Sequence, residues 1–302
     1  MTFARTLLVR VGLLTMLAAI FFAGSSPVAA QSEWVVHNFR QTGGDQPKGN
    51  LVADGAGNLY GTAFEDGTTI WGMVYELVRP VPPKTAWTET VLYDFSGEPD
   101  GALPEAGLVF DKAGNLYGTT NAGGSANNGT IFELSPPTSA GGKWTKAELH
   151  SFEGGVNDGA SPQAGLVLDS TGNLYGATLG GGADEGGACF SRILAGCGTV
   201  FELSPPATPG GAWTQTILHS FNYGQGAFPK GTPILDAKGN LYGTTYEGGK
   251  FGDGVVYRVT RPATPGGAWT YRVLHAFQPM FGSSEGGYPS GALTLQIGRA
   301  HV

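Results

Sequence analysis

The stretch Ala113-Gly114-Asn115-Leu116-Tyr117-Gly118-Thr119-Thr120, AGNLYGTT, recurs as AGNLYGTA from Ala56, TGNLYGAT from Thr171 and KGNLYGTT from Lys238. Its Asn stands at Asn58, Asn115, Asn173 and Asn240, giving spacings of 57, 58 and 67 residues. A repeat of this length is too long for a solenoid with one strand per turn, and it must hold a whole supersecondary unit. Asp111 closes a short apolar run, Gly114 suits a positive φ, and Asn115 opens the next run, so the stretch reads as a tight hairpin entering a strand. Gly118 leaves room for a close approach, expected here to be that of a neighbouring backbone.

Working outward from the second copy, 107–111 reads as a first strand, 115–119 as a second, 129–134 as a third and 144–152 as a fourth. Ser135-Pro136-Pro137 and Gly141-Gly142 separate the last two and leave no room for a helix. Each repeat is therefore expected to be a four-stranded antiparallel meander. A sheet this small cannot bury both faces alone, and radial stacking of such sheets gives a β-propeller. The expected fold is all-β, a propeller of four-stranded blades with 57–67 residues per repeat, comprising four full blades and two partial ones. Glu33-Trp34-Val35-Val36-His37-Asn38-Phe39 resembles a fourth strand placed ahead of the first full repeat.

The run Asp111 to Thr120, followed by Gly123-Gly124 and Gly129-Thr130-Ile131-Phe132-Glu133-Leu134, resembles the GloVer tandem repeat of bacterial "choice-of-anchor" proteins. The resemblance spans residues 33 to 295. It implies an exported, surface-associated protein whose C-terminal anchor varies between members, and it carries no established activity.

Residues 1–30 have the layout of a cleaved secretory signal: Arg5 and Arg10, an apolar run from Val11 to Ala23, then small residues up to Ala30. That run is short of the roughly 20 residues a membrane span requires. Residues 31–295 hold the repeats. At the other end 296–302, QIGRAHV, departs from the pattern where a hairpin Asp is due, seven positions after Pro289. IGRAHV is also what a common sequencing-adapter DNA encodes in this frame, so this tail is expected to be non-native and the propeller C-terminally truncated. Localisation is expected to be secreted, periplasmic or cell-surface, without membrane insertion of the mature segment.

Glycine makes up 51 of 302 residues, about 17% against a usual ~7%, and it recurs in register, as short strands with tight turns require. Net charge is −7, and without residues 1–30 and 296–302 the bases fall from 17 to 14 against 24 acids, giving −10. Such a surface repels phosphate backbones, which excludes nucleic acid as the expected partner. Cys189 and Cys197 lie in one Gly-rich loop and are expected to form a disulfide in an oxidising compartment. Two thiolates do not complete a zinc shell, so no metal is expected there, and no cofactor is expected in the chain.

His37, His150, His219 and His275 share one register position, occupied by Tyr93 in the first full repeat. Asp54, Asp111, Asp169 and Asp236 share the hairpin position, and Glu76, Glu133 and Glu202 a third-strand position. Groups present once per repeat read as scaffold rather than as catalysts. Recognition is expected in the variable loops after the second and fourth strands. There lie Asp100, Asp158, Asp184, Glu185, Asp253 and Glu285 as candidate ligand-binding acids, with Trp71, Tyr223, Phe228 and Tyr288 beside them. The resulting expectation is a non-catalytic binding or structural module for an unidentified glycan or protein. The competing class is a propeller enzyme, a metal-dependent lactonase or polysaccharide lyase.

Overall fold

A computed structural model describes residues 5–9, 34–39, 45–65, 69–139, 141–183, 189, 195–208, 210–264, 266–278, 286–296 and 299–301. These residues form strands and turns without a helix, and none of them supplies a helix long and apolar enough to cross a membrane. Each repeat folds into its own antiparallel sheet with spatial order equal to sequence order. In the second these strands are Val109–Phe110, Leu116–Thr120, Thr130–Ser135 and Thr145–Ser151. The third and fourth repeats match it strand for strand, and in the first Asp45–Pro47 also pairs with the second strand, Leu59–Glu65. The first strand is shorter than the five residues expected. Ala106, ahead of it, gives its carbonyl to Thr62 of the preceding sheet instead of to a ladder partner.

All four sheets carry the same irregularity between third and fourth strands, at Val74/Tyr75, Ile131/Phe132, Val200/Phe201 and Val256/Tyr257. A bulge at this point bends the strand and raises its twist. Two smaller sheets flank the set. Trp34–Phe39 pairs with Arg5–Val9, with a register shift at Leu7/Leu8, and Thr294–Gln296 pairs with Arg299–His301. Residues 10–33, which include most of the expected signal segment, lie outside the described residues.

The repeated hairpin is closed by its own carboxylate. Asp111 Oδ1 accepts the backbone N–H groups of Ala113 and Asn115, both at 2.8 Å. Its Oδ2 accepts Asn115 Nδ2 at 2.9 Å and the Tyr117 hydroxyl at 3.2 Å, while Gly114 takes φ 89°. Asp54, Asp169 and Asp236 repeat this arrangement. Burial pushes these three carboxyls up, but the donors around each outweigh it and hold them below the usual range.

Consecutive sheets pack face to face through aromatic pairs. Phe95 meets Phe132 at 5.2 Å, Phe152 meets Phe201 at 5.5 Å and Phe221 meets Tyr257 at 5.2 Å, all edge-on. Phe39 meets Tyr75 in the same way at 4.9 Å, so Trp34–Phe39 takes the fourth-strand place ahead of the first repeat. Tyr60, Tyr117 and Tyr175 of the first three hairpins likewise face a Trp of the next repeat, Trp144 and Trp213 at 6.3 Å and Trp269 at 6.2 Å. The space at Gly118 is taken by side chains, not by a neighbouring backbone. A Cβ there would stand 2.6 Å from the Phe132 ring and 2.8 Å from Leu108.

Candidate ligand-binding mouth

The connection from each fourth strand to the next repeat passes through a turn ending in proline. The residue before that proline, Gln46, Leu103, Ser161, Phe228 or Tyr288, has φ between 53° and 59° in all five cases. A left-handed conformation costs a non-glycine residue about 1 kcal/mol or more, so neighbours must fix it. Leu103 donates its N–H to the Trp71 carbonyl at 2.7 Å and accepts from Asn121 N at 3.1 Å. Ser161 does the same between Asn128 and Leu179, and Phe228 between Cys197 and Tyr246. Leu103, Ser161 and Phe228 thus each tie the start of one sheet's third strand to the end of the next sheet's second strand.

Immediately after the prolines stand Lys48, Glu105, Gln163, Lys230 and Ser290. These five equivalent residues, with the small residues that follow them, line a single cavity of about 440 Å³. Hydrogen bonds link neighbouring segments around it: Thr62 Oγ1 to the Ala106 carbonyl at 2.8 Å, Thr119 Oγ1 to Ala164 at 3.2 Å, and Thr244 Oγ1 to Gly291 at 3.3 Å. The third repeat has Ala177 in place of that threonine, and there Thr232 Oγ1 accepts from Gly165 N at 3.0 Å instead.

The rim of the cavity is asymmetric. Lys48 Nζ rests 3.3 Å above the Phe64 ring and 3.5 Å from Glu105, which also accepts Asn121 Nδ2 at 3.3 Å. Lys230 Nζ lies 3.9 Å above the Tyr246 ring and has no carboxylate within 4.0 Å among the described residues. Tyr246 in turn lies 5.3 Å from the ring of Tyr288, a residue that is 47% exposed. The negative charge of the Asp253 carboxylate raises the Tyr288 pKa, and Tyr288 N donates to the Asp253 carbonyl at 2.9 Å.

Among the described residues, the candidate acids Asp100 and Asp158 lie in two different joints between sheets. Asp100 accepts Lys146 Nζ at 2.8 Å, the Tyr93 hydroxyl at 2.7 Å and Ser96 N at 3.0 Å, and Lys146 also donates to its carbonyl. Asp158 accepts Glu153 N at 2.8 Å, Gly159 N at 2.7 Å and Gln215 Nε2 at 3.0 Å, with His150 Nε2 at 3.3 Å from both oxygens. Both acids therefore bridge consecutive sheets. Burial pushes their carboxyls up, while Lys146 at Asp100 and His150 at Asp158, together with the other donors, bring both below the usual range. Asp253 is 8% exposed. Asp184, Glu185 and Glu285 lie outside the described residues. Among the described residues no three His, Cys, Asp or Glu side chains are grouped as a metal would need. Cys189 and Cys197 are joined, which fits an oxidising compartment.

The His register serves the same joints. His37 Nε2 lies 2.7 Å from Glu89 Oε2 of the next repeat, while His219 stacks on Tyr271 at 3.8 Å and 5°. Burial lowers the His219 pKa to about 4. Lys48, Glu105, Gln163, Lys230 and Ser290 were not singled out from sequence. The available signal is a position that changes in every repeat inside an otherwise fixed Pro-to-hairpin frame.

The Gloeobacter/Verrucomicrobia repeat matches residues 25–196, more than half of the chain. No curated protein matches it. Among solved structures, a putative oxidoreductase (glucose dehydrogenase) from Thermus thermophilus aligns at 13% identity and a TM-score of 0.34, covering 84% of this chain and 88% of that one.

Proposed function

Since the chain belongs to the Gloeobacter/Verrucomicrobia repeat family, we propose that its sheets are the blades of an exported β-propeller acting as a non-catalytic binding or structural module at the cell surface or in the periplasm. The observation that carries this reading is the single cavity lined by the same position of five successive repeats. Equivalent residues meet at one place only when repeats are arranged about a common axis, and the mouth of such a ring is where variable side chains converge. The partner is a glycan or a protein surface.

The use of the His and Asp registers supports a non-catalytic role. His150 and Asp158 are near enough to suggest a proton-transfer pair, but the carboxylate is committed to two backbone donors and to Gln215 of the next sheet. A catalytic base needs access to substrate as well as a suitable pKa. The test is a glycan and protein array run alongside hydrolase, lyase and dehydrogenase assays on the purified protein. The expected result is retention of a ligand without turnover. Turnover abolished by a single substitution such as His150→Ala would overturn the reading.

A further inference from the structure

We propose that the Lys230 corner of the shared cavity binds an acidic sugar, a hexuronate unit whose carboxylate meets the Lys230 ammonium and whose ring lies against Tyr288. This rests on the binding-module reading above and names its ligand class.

Three features of that corner point the same way. Of the two lysines on the rim, Lys48 already has Glu105 as a counter-charge, whereas among the described residues Lys230 meets the face of Tyr246 and no carboxylate. In a chain with 24 acids and 17 bases, a half-buried ammonium without a carboxylate is the one strong attraction the cavity offers to an anion. Tyr288 supplies an aromatic face fixed at two points: its left-handed backbone and its N–H bond to the Asp253 carbonyl. A ring held in this way loses little entropy on binding. The cavity wall contributes neutral hydrogen-bonding groups, Asn50, Gln163, Thr232 and Ser290, over glycine backbone. These suit several hydroxyls and a single carboxylate, and a volume of about 440 Å³ lies in the range of small-molecule sites.

Other anions fit less well. A phosphate group is held best by several cations or by a nest of backbone N–H groups. Here, among the described residues, one ammonium lacks a carboxylate, and Glu105 in the cavity lining disfavours a ligand of higher negative charge. A neutral sugar would satisfy the wall and leave Lys230 unanswered.

The test uses the full exported chain in titration calorimetry with galacturonate and glucuronate trisaccharides, the corresponding neutral hexose trisaccharides, and inorganic phosphate as competitor. Uronides are expected to bind about tenfold or more tightly than their neutral counterparts, and Lys230→Met to erase that preference while neutral binding stays constant. That constant neutral binding also reports an intact fold. Tyr288→Ala is expected to weaken both ligand sets. Equal binding of acidic and neutral sugars, an unchanged uronide preference in Lys230→Met, displacement by millimolar phosphate, or absence of uronide binding would each overturn the proposal. None of these touches the binding-module reading, which fails instead if the uronide is cleaved.

Discussion

The repeats contain two kinds of polar network, a hairpin carboxylate and a joint between sheets, that behave in opposite ways. In the hairpin the backbone N–H of Asn58, Asn115, Asn173 and Asn240 reaches the Asp oxygen at 2.8, 2.8, 3.0 and 2.9 Å, with the same partners every time. At the joint between sheets, successive contacts are His37 with Glu89, Tyr93 and Lys146 around Asp100, His150 and Gln215 around Asp158, and His219 stacked on Tyr271, whose hydroxyl donates to the Gln225 carbonyl. The hairpin closes within six residues and can be copied unchanged. The joint spans two repeats, so a change on one side has to be answered on the other.

The sharpest way to break this contrast is to remove a hairpin carboxylate. Asp169→Ala deletes the acceptor for Thr171 N, Asn173 N, Asn173 Nδ2 and the Tyr175 hydroxyl. A loss of about 2–4 kcal/mol in urea unfolding is expected, with a similar loss at Asp111. Unequal losses at the two sites would show that the networks are not interchangeable.

The joint should respond to context instead. Lys146→Met leaves the Asp100 carboxylate buried without its cation and is expected to cost about 2–3 kcal/mol. Converting the Asp100 joint to the side chains of the Asp158 joint, Tyr93→His with Lys146→Gln, should cost less than the sum of the two single changes, with a coupling of at least about 0.5 kcal/mol. Strict additivity in that double-mutant cycle would remove the idea of matched partners.

A pH series separates the joints further. The folded pKa of His219, about 4, lies below its unfolded value near 6.5, so the unfolded chain binds the proton first. Stability is therefore expected to decline as pH falls from about 6.5 to 4, and His219→Phe should flatten that part of the curve. The depressed carboxyls of Asp54, Asp100, Asp158, Asp169 and Asp236 act lower down. Their contribution is present above roughly pH 4 and is lost as pH falls through their folded values. Thermal melts at closely spaced pH values would resolve the two windows. The smallest effect is expected on the side of the Pro-rich loops, where Val81 is 73% exposed and Val81→Ser should shift stability by no more than about 0.5 kcal/mol.

Local chemistry was legible in the sequence because its partners are close along the chain. The Asp111-to-Asn115 hairpin, the meander order and the cysteine pair all follow from spacings of a few residues. The joints were not legible, since Asp100 finds Lys146 and Asp158 finds Gln215, 46 and 57 residues away. Loop acids of this kind read as solvated or ligand-facing until the next sheet is placed against them. The shared cavity was hidden for the same reason. Nothing near Lys48 announces that Lys230 lines the same space, and the purpose of Gly118 depends on where the Phe132 ring lies.

The left-handed residue ahead of each proline has a consequence for how such chains change over time. Its two hydrogen bonds join one repeat to the next through main-chain atoms alone, using Leu, Ser or Phe indifferently. A junction written in backbone places no demand on the side chains of either neighbour, so a gene segment cut at one proline and spliced at another restores the same connection. Duplication, loss or shuffling of whole repeats then meets little resistance at this point, and only the side-chain pairs beside it have to be retuned afterwards.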